Sequence, residues 1–353
     1  MGLIDILNRI GSNKGFRPIG MILLRSAMSL RFDTLARIAG RHMVSAFAAA
    51  PAIILTKSTI EDALNDATLL FKAMEFTVQE MELDTFCLVA DLSLEAEACG
   101  CEVRFSKENL PVVTSHPVGS ASDVAKLRVP DPSKHGRMHV ILDTIKHIGK
   151  HYAMIKVAVV TGPFTLAAHL AGTELYLDLR RNREKVEAIL DFTLKVANRY
   201  AKELIRAGTD MILLAEPVSS QLSPADYETF SLPRTQEFIS GLGKPCILHM
   251  CGKTDHLLEK MCNSGAAALS VDNIDIRWAI DTVPREIVLA GNISTSSFWM
   301  SSPEDIREET SKLLDVVKGR REFIIAPGCD LAPNIPLENI ISFVRAAKGI
   351  KAS

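Results

Sequence analysis

The chain has 353 residues, 47% of them hydrophobic, and its 40 basic and 42 acidic side chains leave a net charge of −2. Charge this even and well mixed gives no electrostatic footprint for nucleic acid, and the longest apolar run, residues 43–55, is broken by Pro51 and too short to span a bilayer. Seven cysteines, an odd number in a chain too large to need disulfide staples, and no secretory leader in MGLIDILNRIGSNKGF point to a reducing cytoplasm.

In chain order, residues 19–24 read as a first buried strand, 59–83 as one long helix and 85–90 as a second strand. Residues 102–145 form a β-rich excursion followed by a loop, punctuated by Pro111, Pro117, Pro130 and Pro132. From about residue 155 the pattern alternates. Short apolar runs at 155–160, 211–214, 246–249, 268–271, 287–289 and 323–326 are separated by amphipathic stretches at 183–207, 224–240, 254–264, 303–317 and 337–348. Ser223-Pro224-Ala225-Asp226 and Ser302-Pro303-Glu304-Asp305 carry a capping serine, a proline at the first helical position and acids in the first turn. Two early strands and six later ones make eight, which predicts one (β/α)8 TIM barrel over residues 1–353, with an N-terminal helical extension and a β-rich insertion. No Gly-x-Gly-x-x-Gly follows the first strand, against a dinucleotide fold.

In such a barrel the chemistry sits at the carboxyl ends of the strands. Those ends carry Asp91, Glu216, His249, Cys251, Asp272, Asn292 and Cys329. Two cysteines, a histidine and an acid on one rim suit zinc. His249 and Cys251 are two apart, so an extended strand end turns both to one side. Gly252 permits the turn that follows, and Gly328 leaves room beside Cys329. By spacing alone the set serves equally well as packed, hydrogen-bonded side chains. Cys87, Cys246 and Cys262 read as small buried hydrophobes.

The segments ILHMCGKTDHLLEKMCNSGAAALSVDN, LAGNIS and IIAPGCDLAPNIPLENI closely resemble the methylcobamide:coenzyme M methyltransferases, zinc enzymes of the uroporphyrinogen decarboxylase superfamily. The resemblance covers residues 80–350, and the poorly matching first 80 residues are expected to line the substrate mouth. It implies that His249, Cys251 and Cys329 bind Zn2+, with Asp272 as a fourth ligand that a thiol displaces; the family position carries Glu, so the side chain here is shorter. It also implies a methyl donor, methylcobalamin, held on a separate corrinoid protein, because this chain has no Asp-x-His-x-x-Gly cobalamin motif. The acceptor is then a thiol such as coenzyme M. Tetrahydrofolate as acceptor, or the reverse loading of a corrinoid from a small methyl donor, stays open.

The decarboxylase branch places a catalytic aspartate where Asp91 stands in LVADLS, and paired arginines where this chain has LLRSAMSLRFD, with Arg25 kept and the second replaced by Ser29. Glu216 stands as an acid that orients substrate or holds a proton, with a solvated loop acid as the plain alternative. Asn292 offers an amide to substrate or to a metal ligand, or is a turn residue beside Gly291.

Overall fold

The computed structural model describes residues 2–350. In chain order its strands are β1 (Met43–Val44), β2 (Thr85–Cys87), β3 (Val103–Arg104), β4 (Val112–Val113), β5 (Ile155–Thr161), β6 (Met211–Ala215), β7 (Cys246–Met250), β8 (Ala268–Val271), β9 (Val288–Ile293) and β10 (Phe323–Pro327). The antiparallel pair β3–β4 stands alone. The other eight form one parallel sheet in the order β1-β10-β9-β8-β7-β6-β5-β2. Its two ends meet: the Asp84 amide donates to the Val44 carbonyl at 3.0 Å, and the Ser45 and Thr85 hydroxyls lie 2.8 Å apart. The sheet therefore curls into a barrel.

Parallel strands under helices are buried on both faces, so they read as continuous apolar runs. The two faces separate cleanly here. Val157, Leu213, Ile247, Ala290 and Ile324 pack into the lumen, whereas Ala158, Leu214, Leu248, Leu289 and Ile325 pack outward against the helices. Alternation along each strand thus decides which residues reach the mouth.

Three features depart from the sequence reading. Residues 19–24 lie inside a helix, Arg17–Met28, whose buried positions Gly20, Leu24 and Ala27 follow a helical and not a strand period. The first strand is Met43–Val44, at the start of the apolar run of residues 43–55. The helix expected over 59–83 is two, Ile60–Asn65 and Ala67–Gln79; the Asp66 carboxylate accepts from the Thr68 and Leu69 amides and so caps the second while ending the first. The β-rich excursion reduces to the β3–β4 hairpin, and the stretch after it folds into the helix Met138–His151.

The N-terminal helices do not line the mouth. Ile4, Leu7, Leu24, Phe32 and Leu35 pack with Met43, Ile155, Met211 and Val288, the first residues of their strands, and so close the floor. Asn8 and Arg41 both bond Asp84, and the Ala153 amide donates to the Gly11 carbonyl just before β5. Arg25 is exposed on that floor helix, remote from any role as a substrate clamp. The chain reaches the mouth only after β1, with Phe47.

Candidate metal centre

His249 lies in β7 in register with Ser270 of β8, and both point into the lumen. Ser270 Oγ lies 3.0 Å from His249 Nδ1, which orients the ring and leaves Nε2 facing Cys329 Sγ at 3.7 Å. Phe47 packs against the imidazole with ring centroids 5.4 Å apart. Met250 turns outward into the helical shell, so Cys251 returns to the side of His249. The ligand atoms of His249, Cys251 and Cys329 lie within 4.8 Å of one another, the one such metal-capable group among the described residues. The two thiols hydrogen-bond each other, which lowers the pKa of Cys251 and raises that of Cys329. Two soft sulfurs and an imidazole whose second nitrogen is held fit a tetrahedral zinc with one position open.

Asp272 stands outside that trio. Its Oδ2 accepts from the Gly252 amide at 2.8 Å, and its Oδ1 occupies the space where a Cβ on Gly328 would sit, 2.2 Å from it. The carboxylate thus lies between the turns that carry Cys251 and Cys329. Asn292 donates from Nδ2 to the carbonyls of Asp272 and Ile274, both at 2.9 Å, and so holds the Asp272 loop. Its Nδ2 is thus engaged with backbone.

The three candidate ligands open onto a cavity of about 120 Å3 lined by Phe47, Leu92, Leu110, Leu213, Pro217 and Asp330 among others. Asp91 and Glu216 are absent from its walls, although their neighbours Ala90, Leu92, Ala215 and Pro217 form them. Asp91 is buried, accepting from the Ser93 amide and hydroxyl and from Arg137 Nη1 at 2.6 Å. Arg137 also binds Glu97 at 2.8 Å, so Asp91 belongs to a buried ionic network. Glu216 is fully buried and accepts from the Phe164 and Thr165 amides, the Thr165 hydroxyl and the Ser219 hydroxyl. It caps the helix Pro163–Ala171, which the sequence reading missed, and is neither a solvated loop acid nor a group open to substrate.

Burial pushes both Glu216 and the equally buried Glu95 up to about 7, against the hydrogen bonds that favour their ionised forms. The ordinary value is 4.5, so the folded protein holds these protons more tightly than the unfolded chain does. Their contribution to stability is full below pH 4.5 and is lost as pH rises through 7. Wild-type protein is expected to lose urea resistance between pH 5 and pH 8, by up to about 3 kcal/mol per group. Glu216→Gln, which cannot titrate, should lose less over the same interval. An identical pH slope in the two proteins would contradict this.

Ser270, Phe47 and Arg137 went unnoticed in the sequence. For Ser270 a signal existed: a hydroxyl within the otherwise apolar strand ALSV, in register with a histidine. Arg137 lay in a stretch read as loop.

The chain matches the family described as Uroporphyrinogen decarboxylase (URO-D) over residues 35–350. Over 270 residues, 74% of this chain and 78% of the relative, it is 30% identical to a protein of Methanosarcina acetivorans named Methylcobamide:CoM methyltransferase MtbA. It is 27% identical to the Uroporphyrinogen decarboxylase of Geobacter sulfurreducens, across 77% of this chain and 83% of that one. The solved structure of a methyltransferase from Methanosarcina mazei superposes with a TM-score of 0.84 at 25% identity, covering 92% of this chain and 98% of that one.

Proposed function

The chain belongs to the uroporphyrinogen decarboxylase family and is a methyltransferase, and from that premise we propose that it is zinc-dependent and moves a methyl group from a methylated corrinoid on a separate protein to a thiol. The observation that carries the proposal is the His249–Cys251–Cys329 cluster opening onto a largely apolar cavity at the barrel mouth. A free thiol is a weak nucleophile near neutral pH because little of it is thiolate. Zinc held by His249, Cys251 and Cys329 would take an acceptor thiol as thiolate and keep its sulfur electron-rich, since two cysteine thiolates already offset the metal's charge.

The chain's own residues do the rest. Ser270 holds the His249 ring, and Asp272, steadied by Asn292, holds the two turns that present the sulfurs. We keep Asp272 as the carboxylate that can reach a metal when its turn contacts loosen. Phe47, Leu92, Leu110 and Leu213 exclude water from the attacking sulfur. A methylated corrinoid presented at the mouth would supply the methyl group and retain the electron pair of its Co–C bond, while the acceptor sulfur, its proton already lost to solvent on binding, would form the S–CH3 bond.

The decarboxylase alternative has less support, because its aspartate, Asp91, is buried against Arg137 and absent from the cavity wall.

The test is incubation of zinc-replete protein with methylcobalamin and a panel of thiols plus tetrahydrofolate. Corrinoid demethylation is followed optically and the zinc shell by X-ray absorption. Demethylation that needs a thiol, with a new sulfur in the zinc shell, is expected. Demethylation with tetrahydrofolate alone would move the acceptor to folate, and no demethylation with any acceptor would leave the reverse, corrinoid-loading reaction.

A further inference from the structure

Eleven large apolar side chains stand exposed among the described residues, and five of them, Phe16, Ile19, Ile22, Leu30 and Ile38, belong to the short N-terminal segment that closes the floor. The helix Arg17–Met28 shows how they come to be bare. Its inward stripe, Gly20, Leu24 and Ala27, packs on the barrel. Pro18, Ile19, Ile22, Arg25 and Ser26 recur at helical spacing on the other side, and all of them are exposed. Ile22 keeps 67% of its surface and Ile19 52%. Phe16 stands exposed just before the helix and Leu30 just after it. Single exposed apolar residues need no explanation, but a row of them along one helix face does. This helix also precedes residue 35, where the family match begins, so the chemistry shared by the family does not account for it.

The charge of the segment is equally one-sided. Between Asp5 and Asp33 lie five basic residues, Arg9, Lys14, Arg17, Arg25 and Arg31, and no acid, in a chain of net charge −2. The two bounding acids are already engaged: Asp5 binds Arg41 at 2.8 Å, and Asp33 binds Arg31 and Arg37. Arg9 and Arg25 are exposed and have no ion-pair partner among the described residues. Arg17 donates to the Gly149 carbonyl at 2.9 Å, which brings the exposed Lys150 beside the same helix. A second copy of the chain fits this face poorly, because a two-fold contact sets the patch on itself and Arg25 against like charge. An anionic bilayer surface suits both properties: isoleucine and phenylalanine enter the acyl boundary, and arginines stay at the level of the headgroups.

We propose that the floor of the barrel, through Phe16, Ile19, Ile22 and Arg25, is a peripheral docking surface for an anionic membrane. The floor is the pole opposite the candidate metal ligands, so a chain held there keeps its mouth turned away from the bilayer and open to a partner. The inference is independent of the thiol reading.

The test is cosedimentation of the zinc-loaded chain with vesicles of phosphatidylcholine alone or of equal parts phosphatidylcholine and phosphatidylglycerol. Binding to the anionic vesicles, weakened by salt, is expected. Ile22→Asp should lower the partition coefficient at least about tenfold, and Arg25→Gln about fivefold. Both side chains are exposed, so circular dichroism, zinc content and demethylation of free methylcobalamin should match wild type. Met300→Asp, at an apolar residue 78% exposed after β9, should bind vesicles as wild type does. Equal binding to neutral and anionic vesicles, binding that both floor variants retain, or binding lost only in Met300→Asp overturns the inference. So does failure to bind either lipid; if light scattering then shows dimers that Ile22→Asp dissolves, the face belongs to a second copy.

Discussion

Cys251→Ala is expected to lower zinc affinity by more than about 100-fold and to abolish methyl transfer, while the barrel stays folded. Removal of a residue that merely holds a ligand in place typically costs 10–100-fold, and removal of a ligand costs more. The fold should survive because the lumen and the helical shell are continuous apolar clusters that include none of the three candidate ligands. This differs from small zinc domains, whose folding free energy is largely metal binding. Cys246→Ala serves as the control: this thiol is buried in the shell, three residues before His249, and its loss should cost some stability but no metal. Equilibrium dialysis against zinc and circular dichroism on the two variants decide the matter. Equal zinc affinity in Cys251→Ala and wild type would remove the metal centre from the proposal.

Gly328→Val should reduce metal affinity by about 10- to 100-fold with every candidate ligand still present. A Cβ at Gly328 would lie 2.2 Å from Asp272 Oδ1 and 3.0 Å from Asp272 Cα. Backbone and a hydrogen-bonded carboxylate cannot both yield, so the Cys329 turn or the Asp272 loop must shift. Asp272 also accepts from the Gly252 amide, so the strain passes to the Cys251 turn as well. Adding Asp272→Ala to Gly328→Val should recover only part of the affinity, since Asp272 Cα remains close. Wild-type zinc affinity in the single variant would show that the two turns are independent.

The strands from residue 155 onward were legible because both of their faces are buried, so each is a continuous apolar run. The helices Arg183–Ala207 and Pro303–Val317 were legible in amphipathic period, the latter also in its Ser302 cap and Pro303. The first strand was not, because Met43–Val44 is two residues long and has no period to read. Its place was taken by a helix whose one buried stripe lies among exposed apolar residues such as Ile19 and Ile22. At the site, the two-residue spacing of His249 and Cys251 carried direct information, since parity along a strand sets the side a residue faces. Asp91 and Glu216 show the limit of that logic. Each follows its strand at the carboxyl end, yet the chain leaves the strand there, and their neighbours face the cavity in their stead. Their direction is set by Arg137 and by the start of the helix Pro163–Ala171, partners far away in sequence.

The barrel's seam has a bearing on how the chain reaches its native state. Met43 of β1 pairs with Ile324 of β10, and Asp84 at the opening of β2 gathers Asn8, Arg41, Val44 and Lys348 around one carboxylate. The first strand therefore waits for the last, and the floor helices for the C-terminal end. During synthesis, Ile4, Leu7 and Phe32 emerge long before the surface they will cover exists. Contacts of such long sequence separation form late and slowly, because loop closure must precede the gain from packing. The early part of the chain must stay soluble as an incomplete apolar segment until the final strands leave the ribosome, which is the interval in which such a barrel is most exposed to aggregation and to chaperones.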